Sequence, residues 1–496
     1  MGAVNERSMS GGSAGIGATL REGGPALLGI VAIALLARVI RLNSGYWIDE
    51  LYALMNSYRL PFSGIVSTFW GDAHHPLYSL FARMSLTVFG EAPWATRAPA
   101  VVFGTAAVAA TYLVARLVAS RREALLASLI LAVSYHHVWF SQNARGYTLM
   151  GLLALASTVA LVRMLERGSW QMAVLYAVIA ALGAYTHLTM VFVAFGQAIV
   201  AALTVALPEK GRSRIDWRIP VTAFALAGIL SFLLYLPMLG PVLDFFINRP
   251  SGLRGTSTPS WALAEAIRVL LLGVGTPGAL LAGVILVTGS IVAFAGFASV
   301  VRVNRTVGLA FALPPVVVLL GALAGRGTMY PRFFFFAASF AVIVAVRGLF
   351  ACGEFVQRRW PGVPGAALAT TGAALVAVLS TASLSLNYRY PKQDFVGAMR
   401  YVQAAKAPED TVAFAGVPGD PYPGVYGRDW PTVNTAAEIN ALRQHGRTWL
   451  IYTFPRYLEV GAPEVSSIVK RECHERAVFR GTVGGGDMII CTLDPA

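Results

Sequence analysis

The octapeptide GYWIDELY, residues 45–52, places two adjacent carboxylates directly after the first long apolar run of the chain. Acidic residues are scarce in this sequence, which has 25 Asp and Glu among 496 residues. An ionised carboxylate near a bilayer is costly, and acids that are kept there usually have a function. Asp49 and Glu50 are therefore the first candidates for an active site.

The composition indicates a membrane protein. Hydrophobic residues make up 56% of the chain and charged residues 13%, with a mean hydropathy of +0.62. These values lie outside the usual range of soluble globular domains. The net charge of +14 could suggest a nucleic-acid partner. However, the basic residues collect in short loops between apolar runs and do not alternate with aromatic residues, so we predict no nucleic-acid binding.

Apolar runs of about 20 residues predict about eleven transmembrane helices between residues 25 and 386. Five short loops between these runs are rich in arginine, and all five can be cytoplasmic in only one arrangement. In that arrangement the first span runs outward and residues 75–90 do not cross the membrane. We predict that residues 75–90 and 261–273 form helices lying on the outer face. An odd number of spans then places the C-terminus outside the cytoplasm.

The two ends of the chain differ from the apolar middle. Residues 1–24 are rich in Gly and Ser and are predicted to form a flexible cytoplasmic tail. From about residue 387 charged residues return, and the mixed pattern predicts a small exocytoplasmic α/β domain over residues 387–496. In it we predict helices at 394–406 and 435–445, strands at 410–415 and 448–454, and a hairpin of 477–483 with 488–493. Cys473 and Cys491 could form a disulfide there, although two free buried thiols explain the sequence equally well.

Polar side chains recur at the predicted outer ends of the spans, far apart in sequence but on one face. Arginine at a span end commonly reaches toward headgroups, tyrosine fits an interfacial belt, and one acid could cap a helix. These ordinary roles do not account for two acids and several histidines beside them. Besides Asp49 and Glu50, the set comprises His74, His75, Arg97, Arg145, Tyr147, His187, Arg326, Tyr330 and Arg332.

This set of residue types suits transfer from a lipid phosphate. A carboxylate can take the proton of an attacking hydroxyl as the new bond forms. Arginine can stabilise a departing phosphate through paired hydrogen bonds. Asp49 could also hold a divalent cation such as Mg, Mn or Ca, which would share that task.

The order of four short motifs resembles the GT-C superfamily of glycosyltransferases. The motifs are Trp47-Ile48-Asp49-Glu50, His75-Pro76-Leu77-Tyr78, RAPAVVFG at residues 97–104 and QNARGY at residues 142–147. The sequence is most similar to the protein O-mannosyltransferase and aminoarabinose transferase group over about residues 25–205. The region of Tyr330 and Arg332 shows a weaker resemblance.

The resemblance implies an inverting transferase that uses a polyprenyl-phosphate sugar as donor. It implies that Asp49 is the catalytic base or a metal-linked carboxylate, and that Arg97 and Arg145 hold donor phosphate or sugar. Many relatives have His-Pro-Pro where this chain has His74-His75-Pro76-Leu77, so which histidine matters stays open. The loop at 143–147 lacks the Asp-x-Asp of oligosaccharyltransferases, which counts against that branch.

We therefore predict a multi-pass glycosyltransferase of the plasma (inner) membrane, with its site and C-terminal domain on the exocytoplasmic face. The composition, biased to Ala, Val, Gly and Arg, is typical of a GC-rich bacterium. The predicted acceptor is a glycan, lipid or protein of the cell envelope. Asp49 and Glu50 are the catalytic candidates, with Glu50 also able to cap the adjoining helix or support Asp49. The alternative is a transporter or flippase of lipids or lipid-linked sugars, which would place its acids nearer the membrane midplane and show internal repeats.

Overall fold

The structure, a computed structural model, describes residues 15–71, 73–208, 214–248, 259–273, 277–324, 330–416 and 421–495. Within these residues nine helices are long and apolar enough to cross a membrane. They are Ile16–Val39, Pro93–Ala115, Tyr147–Arg167, Thr189–Ala206, Arg218–Ile247, Ala279–Val303, Arg305–Leu323, Pro331–Arg359 and Gly365–Arg389. Two helices bent by 57° at a short break, Arg121–Ala132 and Tyr135–Ser141, form a further apolar segment, and Trp170–Thr186 is a shorter apolar helix.

These elements coincide in position with all of the predicted spans, which confirms the polytopic helical fold. The number of crossings and their direction remain predictions. A further helical segment precedes the predicted first span, from Ile16 to a kink at Gly24 (φ 56°), so the prediction that residues 16–23 belong to a flexible tail is wrong. Glu22 explains the difference, because it forms an ion pair of 3.0 Å with Arg116 that anchors this end of the helix. Residues 1–14 lie outside the described residues.

The segment Arg121–Ser141 bends between its two helices, and a buried arginine contacts the backbone at the break. Ser134 caps the second half by accepting a hydrogen bond from the His137 amide. The Arg38 Nη1 donates to the carbonyl of Ala132 at 2.9 Å, and its Nη2 contacts His137 Nδ1 at 2.7 Å. In an apolar environment every freed backbone group needs a partner. Arg38 supplies one at the break.

Two short helices, Pro76–Phe89 and Pro259–Leu272, lie where we predicted interfacial helices. Each has 14 residues, too few to cross the hydrocarbon core at 1.5 Å per residue. Proline at the first helical position suits both, since its missing N–H would have no partner there. Shorter elements complete the membrane domain: Ile48–Ala53, Leu54–Tyr58, Phe62–Ser67, Leu239–Ile247 and the 3-10 turn Pro331–Ala337.

The C-terminal residues form a mixed five-stranded sheet. Its strands are β1 (Thr411–Ala415), β2 (Thr432–Val433), β3 (Thr448–Tyr452), β4 (His474–Phe479) and β5 (Met488–Leu493). The order is β2-β1-β3-β5-β4, with β1 parallel to β2 and β3, and β5 antiparallel to β3 and β4. The helices are Phe395–Ala405, Pro421–Tyr426, Ala436–Arg443, Pro455–Gly461 and Pro463–Glu472. The predicted α/β domain is therefore present, with the first hairpin strand starting three residues earlier than we placed it.

Both faces of this sheet are buried, and the second face positions the site. Leu450 and Cys491 point toward the domain's own helices, where Val465 is fully buried. Ile451 and Ile490 alternate with them and point the other way, into a cluster that includes Trp47 and Ile48. Side chains of successive strand residues alternate between faces, so one face builds the domain and the other packs on the segment that carries Asp49.

Cys473 and Cys491 are joined by a disulfide, the first of the two states that the sequence left open. The remaining cysteine, Cys352, is free. Disulfides persist in oxidising compartments, so the bond agrees with the predicted outer location of the domain.

This disulfide predicts the thiol count of the unreduced protein. In denaturant without reductant, maleimide should label Cys352 alone, and all three cysteines should react after reduction. Intact mass spectrometry counts the labels, and Cys352→Ser serves as the control because it should show none before reduction and two after. Three labels before reduction would show that the bond is absent.

Candidate active site at the end of the first span

Asp49 and Glu50 lie in the first turn of the short helix Ile48–Ala53. Trp47 precedes this helix in an extended conformation, and its amide donates to Glu50 Oε2 at 3.3 Å. This single contact from the Glu50 side chain caps the start of the helix, and the Trp47 side chain, which has no acceptor, does not return it. Successive helical residues point about 100° apart. As a result, the two neighbouring carboxylates face different surroundings.

Glu50 points inward and forms a fully buried ion pair with Arg97. The Arg97 Nε donates to Glu50 Oε1 at 2.8 Å and its Nη2 to Oε2 at 2.5 Å, with both side chains at 0% exposure. The Ala144 amide donates to Oε1 at 2.6 Å. Burial is the largest single effect and raises the pKa of Glu50, but the charge and hydrogen bonds of Arg97, with Lys392 and the Ala144 amide, together lower that pKa below its usual value. Glu50 is therefore ionised and surrounded by donors.

Arg97 has no donor left for a ligand. Its Nη1 donates to the carbonyls of Leu42 and Ser44 at 2.8 and 2.7 Å, and its Nη2 also donates to Gly45 at 3.0 Å. We expected Arg97 to hold donor phosphate or sugar, and Glu50 to be catalytic, to cap the adjoining helix or to support Asp49. These bonds leave Arg97 no N–H for a ligand and favour the capping and supporting roles of Glu50. We assign both residues instead to holding the 42–45 loop and the 142–147 loop together beneath Asp49.

Asp49, unlike Glu50, is partly exposed to solvent. Its side chain is 22% exposed, and Arg332 Nη1 lies 3.2 Å from its Oδ2. The Arg145 Nη1 donates to the backbone carbonyl of Asp49 at 3.5 Å. The carboxylate is thus held by arginine from the 330–332 segment but remains reachable from outside.

Arg145 lies at the centre of the site and is 1% exposed. Its Nη2 donates to the Ala73 carbonyl at 2.5 Å and lies 3.4 Å from His75 Nε2. Its Nε is buried with no hydrogen-bond partner, and the guanidinium lies 5.9 Å from the Trp70 ring centroid. A buried guanidinium with an unused N–H requires an acceptor to offset its desolvation.

His75 and His187 share one protonation pattern. The Gly146 amide donates to His75 Nδ1 at 2.7 Å, and the Thr189 amide donates to His187 Nδ1 at 3.1 Å. Burial, followed by the nearby Arg145 charge, lowers the pKa of His75 well below its usual value and that of His187 to about 3. Both rings are therefore neutral and carry their proton on Nε2. The two rings, 4.7 Å apart, each present an N–H as donor.

His74 is buried beside this pair, with neither ring nitrogen hydrogen-bonded. Phe69 and Trp70 lie 5.9 Å from its ring centroid, and burial lowers its pKa to about 3. Tyr147 packs its ring edge-on against His75 at 5.3 Å. The structure thus brings both histidines of the 74–75 pair to the site, in different roles.

Tyr330 directly precedes the 3-10 turn Pro331–Ala337, and Arg332 is the second residue of that turn. The Arg332 guanidinium lies 4.4 Å from the Tyr330 ring centroid. The predicted site residue Arg326 lies outside the described residues. The remaining members of the predicted set that the structure describes are assembled around Asp49 and Glu50.

Sequence reasoning missed three residues of the C-terminal domain that touch this region. Gln393 Oε1 accepts from the Ile48 amide at 2.9 Å. Lys392 Nζ donates to the Gln142 carbonyl at 2.6 Å, and burial lowers its pKa to about 7. The Tyr457 hydroxyl is hydrogen-bonded to that of Tyr330. Lys392 and Gln393 have one sequence signal, which is their position shortly after the last apolar helix ends at Arg389. Tyr457 does not share this signal.

The described residues around Asp49 do not fit a divalent cation. Among the residues that the structure describes, no three His, Cys, Asp or Glu side chains are grouped to hold a metal. His75 and His187 have Nδ1 occupied by backbone amides and Nε2 protonated, so neither offers a lone pair. Arg145 and Arg332 supply the positive charge of this site. We therefore derive no step through a cation.

The sequence and the fold of this chain were each compared with those of known proteins. Residues 73–237 match the model of the family described as dolichyl-phosphate-mannose-protein mannosyltransferase. The fold is similar to that of ArnT from Cupriavidus metallidurans in the apo state, at 12% identity and a TM-score of 0.57, covering 94% of this chain and 97% of that one. The fold is also similar to that of the oligosaccharyltransferase AglB from Archaeoglobus fulgidus, solved in complex with an inhibitory peptide and a dolichol-phosphate. The identity is 11% and the TM-score 0.50, and the match covers 93% of this chain and 74% of AglB. No curated protein matches the sequence significantly.

The chain has the polytopic helical fold of GT-C glycosyltransferases, and residues 73–237 match a glycosyltransferase family model. The family model covers part of the membrane domain, whereas the likeness of fold extends over nearly the whole chain, including the C-terminal domain. The superfamily resemblance found in the sequence is thereby confirmed.

Proposed function

We propose that this protein transfers one sugar from a polyprenyl-phosphate donor to an acceptor hydroxyl on the exocytoplasmic face, with inversion at the anomeric carbon. The observation that carries the proposal is the convergence of N–H donors near one partly exposed carboxylate. His75, His187 and Arg145 each present such a donor, and Asp49 lies next to them.

The donor-rich pocket suits a lipid phosphate. The neutral histidines donate through Nε2, while Arg145 and Arg332 add positive charge. The His75 Nε2–H and an Arg145 N–H lie side by side at 3.4 Å, an arrangement that an oxygen accepting from both would stabilise. Charge-assisted hydrogen bonds of this kind grow stronger as negative charge develops on the departing phosphate.

Asp49 acts as the general base in this proposal. The acceptor oxygen attacks the anomeric carbon and its proton passes to the Asp49 carboxylate. The bond between the anomeric carbon and the phosphate oxygen breaks, and both of its electrons leave with polyprenyl phosphate. Displacement from the opposite side inverts the anomeric configuration. The Arg332 contact orients the Asp49 carboxylate, whose 22% exposure leaves room for the acceptor.

The outer face suits both substrates. The apolar helices around the site can bind the polyprenyl chain in the bilayer, and the water-soluble C-terminal domain lies on the same side as Asp49. The basic loops on the opposite side and the Cys473–Cys491 bond support this orientation.

Binding of polyprenyl phosphate tests the donor assignment. Purified protein in nanodiscs should bind polyprenyl phosphate and yield a polyprenyl-phosphate sugar among its co-purified lipids by mass spectrometry. Arg145→Met removes a charged partner of the phosphate and should weaken binding by about ten- to a hundredfold. Arg389→Met is the matched control, because Arg389 is an exposed arginine at the end of the last apolar helix. Equal binding by both variants would contradict the proposed phosphate site.

A further inference from the structure

The C-terminal domain contacts the Asp49 segment from two directions. On the backbone side, Gln393 Oε1 accepts from the amide of Ile48, the residue before Asp49. The same side chain donates through Nε2 to Thr453 Oγ1 at 3.1 Å. Gln393 and Thr453 are both fully buried, so these bonds are shielded from water.

On the carboxylate side, the contact runs through two tyrosines. The Tyr457 hydroxyl is hydrogen-bonded to the Tyr330 hydroxyl, and the Tyr330 ring lies under the Arg332 guanidinium at 4.4 Å. Arg332 in turn contacts the Asp49 carboxylate at 3.2 Å. Burial and the hydrogen bond with Tyr330 raise the pKa of the Tyr457 phenol, so it remains protonated.

A strained residue joins these two contacts. Phe454 lies between Thr453 and the helix that carries Tyr457, and its φ of 49° and ψ of 66° are left-handed. Such a conformation is unfavourable for a residue with a side chain and persists only where surrounding contacts impose it. The Phe454 amide donates to the Gly485 carbonyl at 2.9 Å, and the Tyr457 amide donates to the Phe454 carbonyl at 2.8 Å. These bonds hold the turn that presents Tyr457.

Tyr330 is held on further sides by the membrane domain. Trp261 packs edge-on against it at 5.7 Å and Phe333 at 5.8 Å. Arg456, next to Tyr457, lies 5.7 Å from the Trp261 ring centroid. The Tyr330 side chain therefore lies between the C-terminal domain and the short helix Pro259–Leu272.

We propose that Tyr457 is a positioning residue of the transfer reaction: through Tyr330 it orients Arg332 and so the Asp49 carboxylate, which makes the C-terminal domain a working part of the active site. This inference rests on the proposed function of Asp49 and goes beyond it. It assigns the domain a direct role in the rate of transfer, in addition to any part in acceptor choice.

The test compares Tyr457→Phe, Tyr330→Phe and the double variant. Each single change removes the same hydroxyl–hydroxyl bond and should lower kcat about fivefold, with the donor KM within about twofold, because Arg145 and both histidines still bind donor. The double variant should be no slower than either single variant, since one bond is lost in all three. Tyr401→Phe is the matched control, because the Tyr401 hydroxyl bonds within the C-terminal domain, to the Arg476 carbonyl at 3.4 Å.

Unchanged kcat in Tyr457→Phe, or losses that multiply in the double variant, would overturn the proposal. A raised donor KM with normal kcat would also overturn it, since Tyr457 would then bind donor. Hydrogen exchange provides a readout that does not need turnover: Tyr457→Phe, but not Tyr401→Phe, should increase exchange in residues 330–337. If the wild-type protein transfers no sugar from polyprenyl phosphate, the proposed function fails, and the exchange result still decides whether Tyr457 orders this segment.

Discussion

Asp49→Asn is expected to lower sugar transfer by about a hundred- to ten-thousandfold, the range that a positioned general base contributes. Asparagine has nearly the same shape but cannot accept the acceptor's proton. The variant should fold normally, because the Asp49 side chain is partly exposed and bonds through its carboxylate to Arg332 alone among the contacts of the described residues. Transfer rates with saturating donor, together with polyprenyl-phosphate binding, measure the two effects separately.

Asp244→Asn is the matched control for this experiment. Asp244 is an exposed carboxylate of the helix Leu239–Ile247, whose Phe245 packs against Phe69 near the site. It bonds to Asn248 within its own helix at 2.7 Å and should be dispensable for turnover. Near-normal transfer by Asp49→Asn would remove Asp49 from the role of base.

Glu50→Gln is expected to act on folding instead of chemistry. It leaves the Arg97 guanidinium buried at 0% exposure without its counter-charge. Breaking a buried pair from one side costs about 3–5 kcal/mol, a large part of the free energy of unfolding of a domain. Thermal unfolding in detergent should show a marked loss of stability or little folded protein.

An exposed pair gives the matched comparison. Lys470 and Glu459 form an ion pair on the C-terminal domain with side chains 63% and 46% exposed. Because water screens this pair, Glu459→Gln should cost at most about 1 kcal/mol. In a double-mutant cycle, Glu50→Gln combined with Arg97→Met should cost less than the sum of the single changes. A stable Glu50→Gln protein with transfer as slow as Asp49→Asn would restore Glu50 to the catalytic group.

Much of the membrane domain could be predicted because the bilayer restricts which backbone structures a chain can adopt inside it. Only long apolar helices satisfy their backbone groups in hydrocarbon, so length and composition locate them. The break between Ala132 and Tyr135 could not be found this way. It depends on Arg38, which is distant in sequence and satisfies the Ala132 carbonyl only once the helices have packed.

The candidate site could be predicted as a set of residues, but only part of the division of roles among them could be, namely that Glu50 can cap the helix or support Asp49. Acids and histidines at one predicted face are unusual enough to identify together. Their contacts are not encoded locally: Arg97 was expected to bind phosphate, yet its donors are consumed by Glu50 and three loop carbonyls. Likewise, the Gly146 and Thr189 amides that set the histidine tautomers have no sequence signature.

The sequence by itself therefore determined the class of fold and identified the polar cluster with the two adjacent carboxylates at its centre. Only the tertiary structure decided that Glu50 is buried in an ion pair while Asp49 stays partly exposed. The physical reason is that neighbouring helical residues point in different directions, and packing alone decides which of them meets Arg97 in the interior and which meets Arg332 at a partly exposed position. The hydrogen bond of Tyr457 with Tyr330 is likewise decided by the tertiary structure, because the two residues are 127 positions apart in the chain.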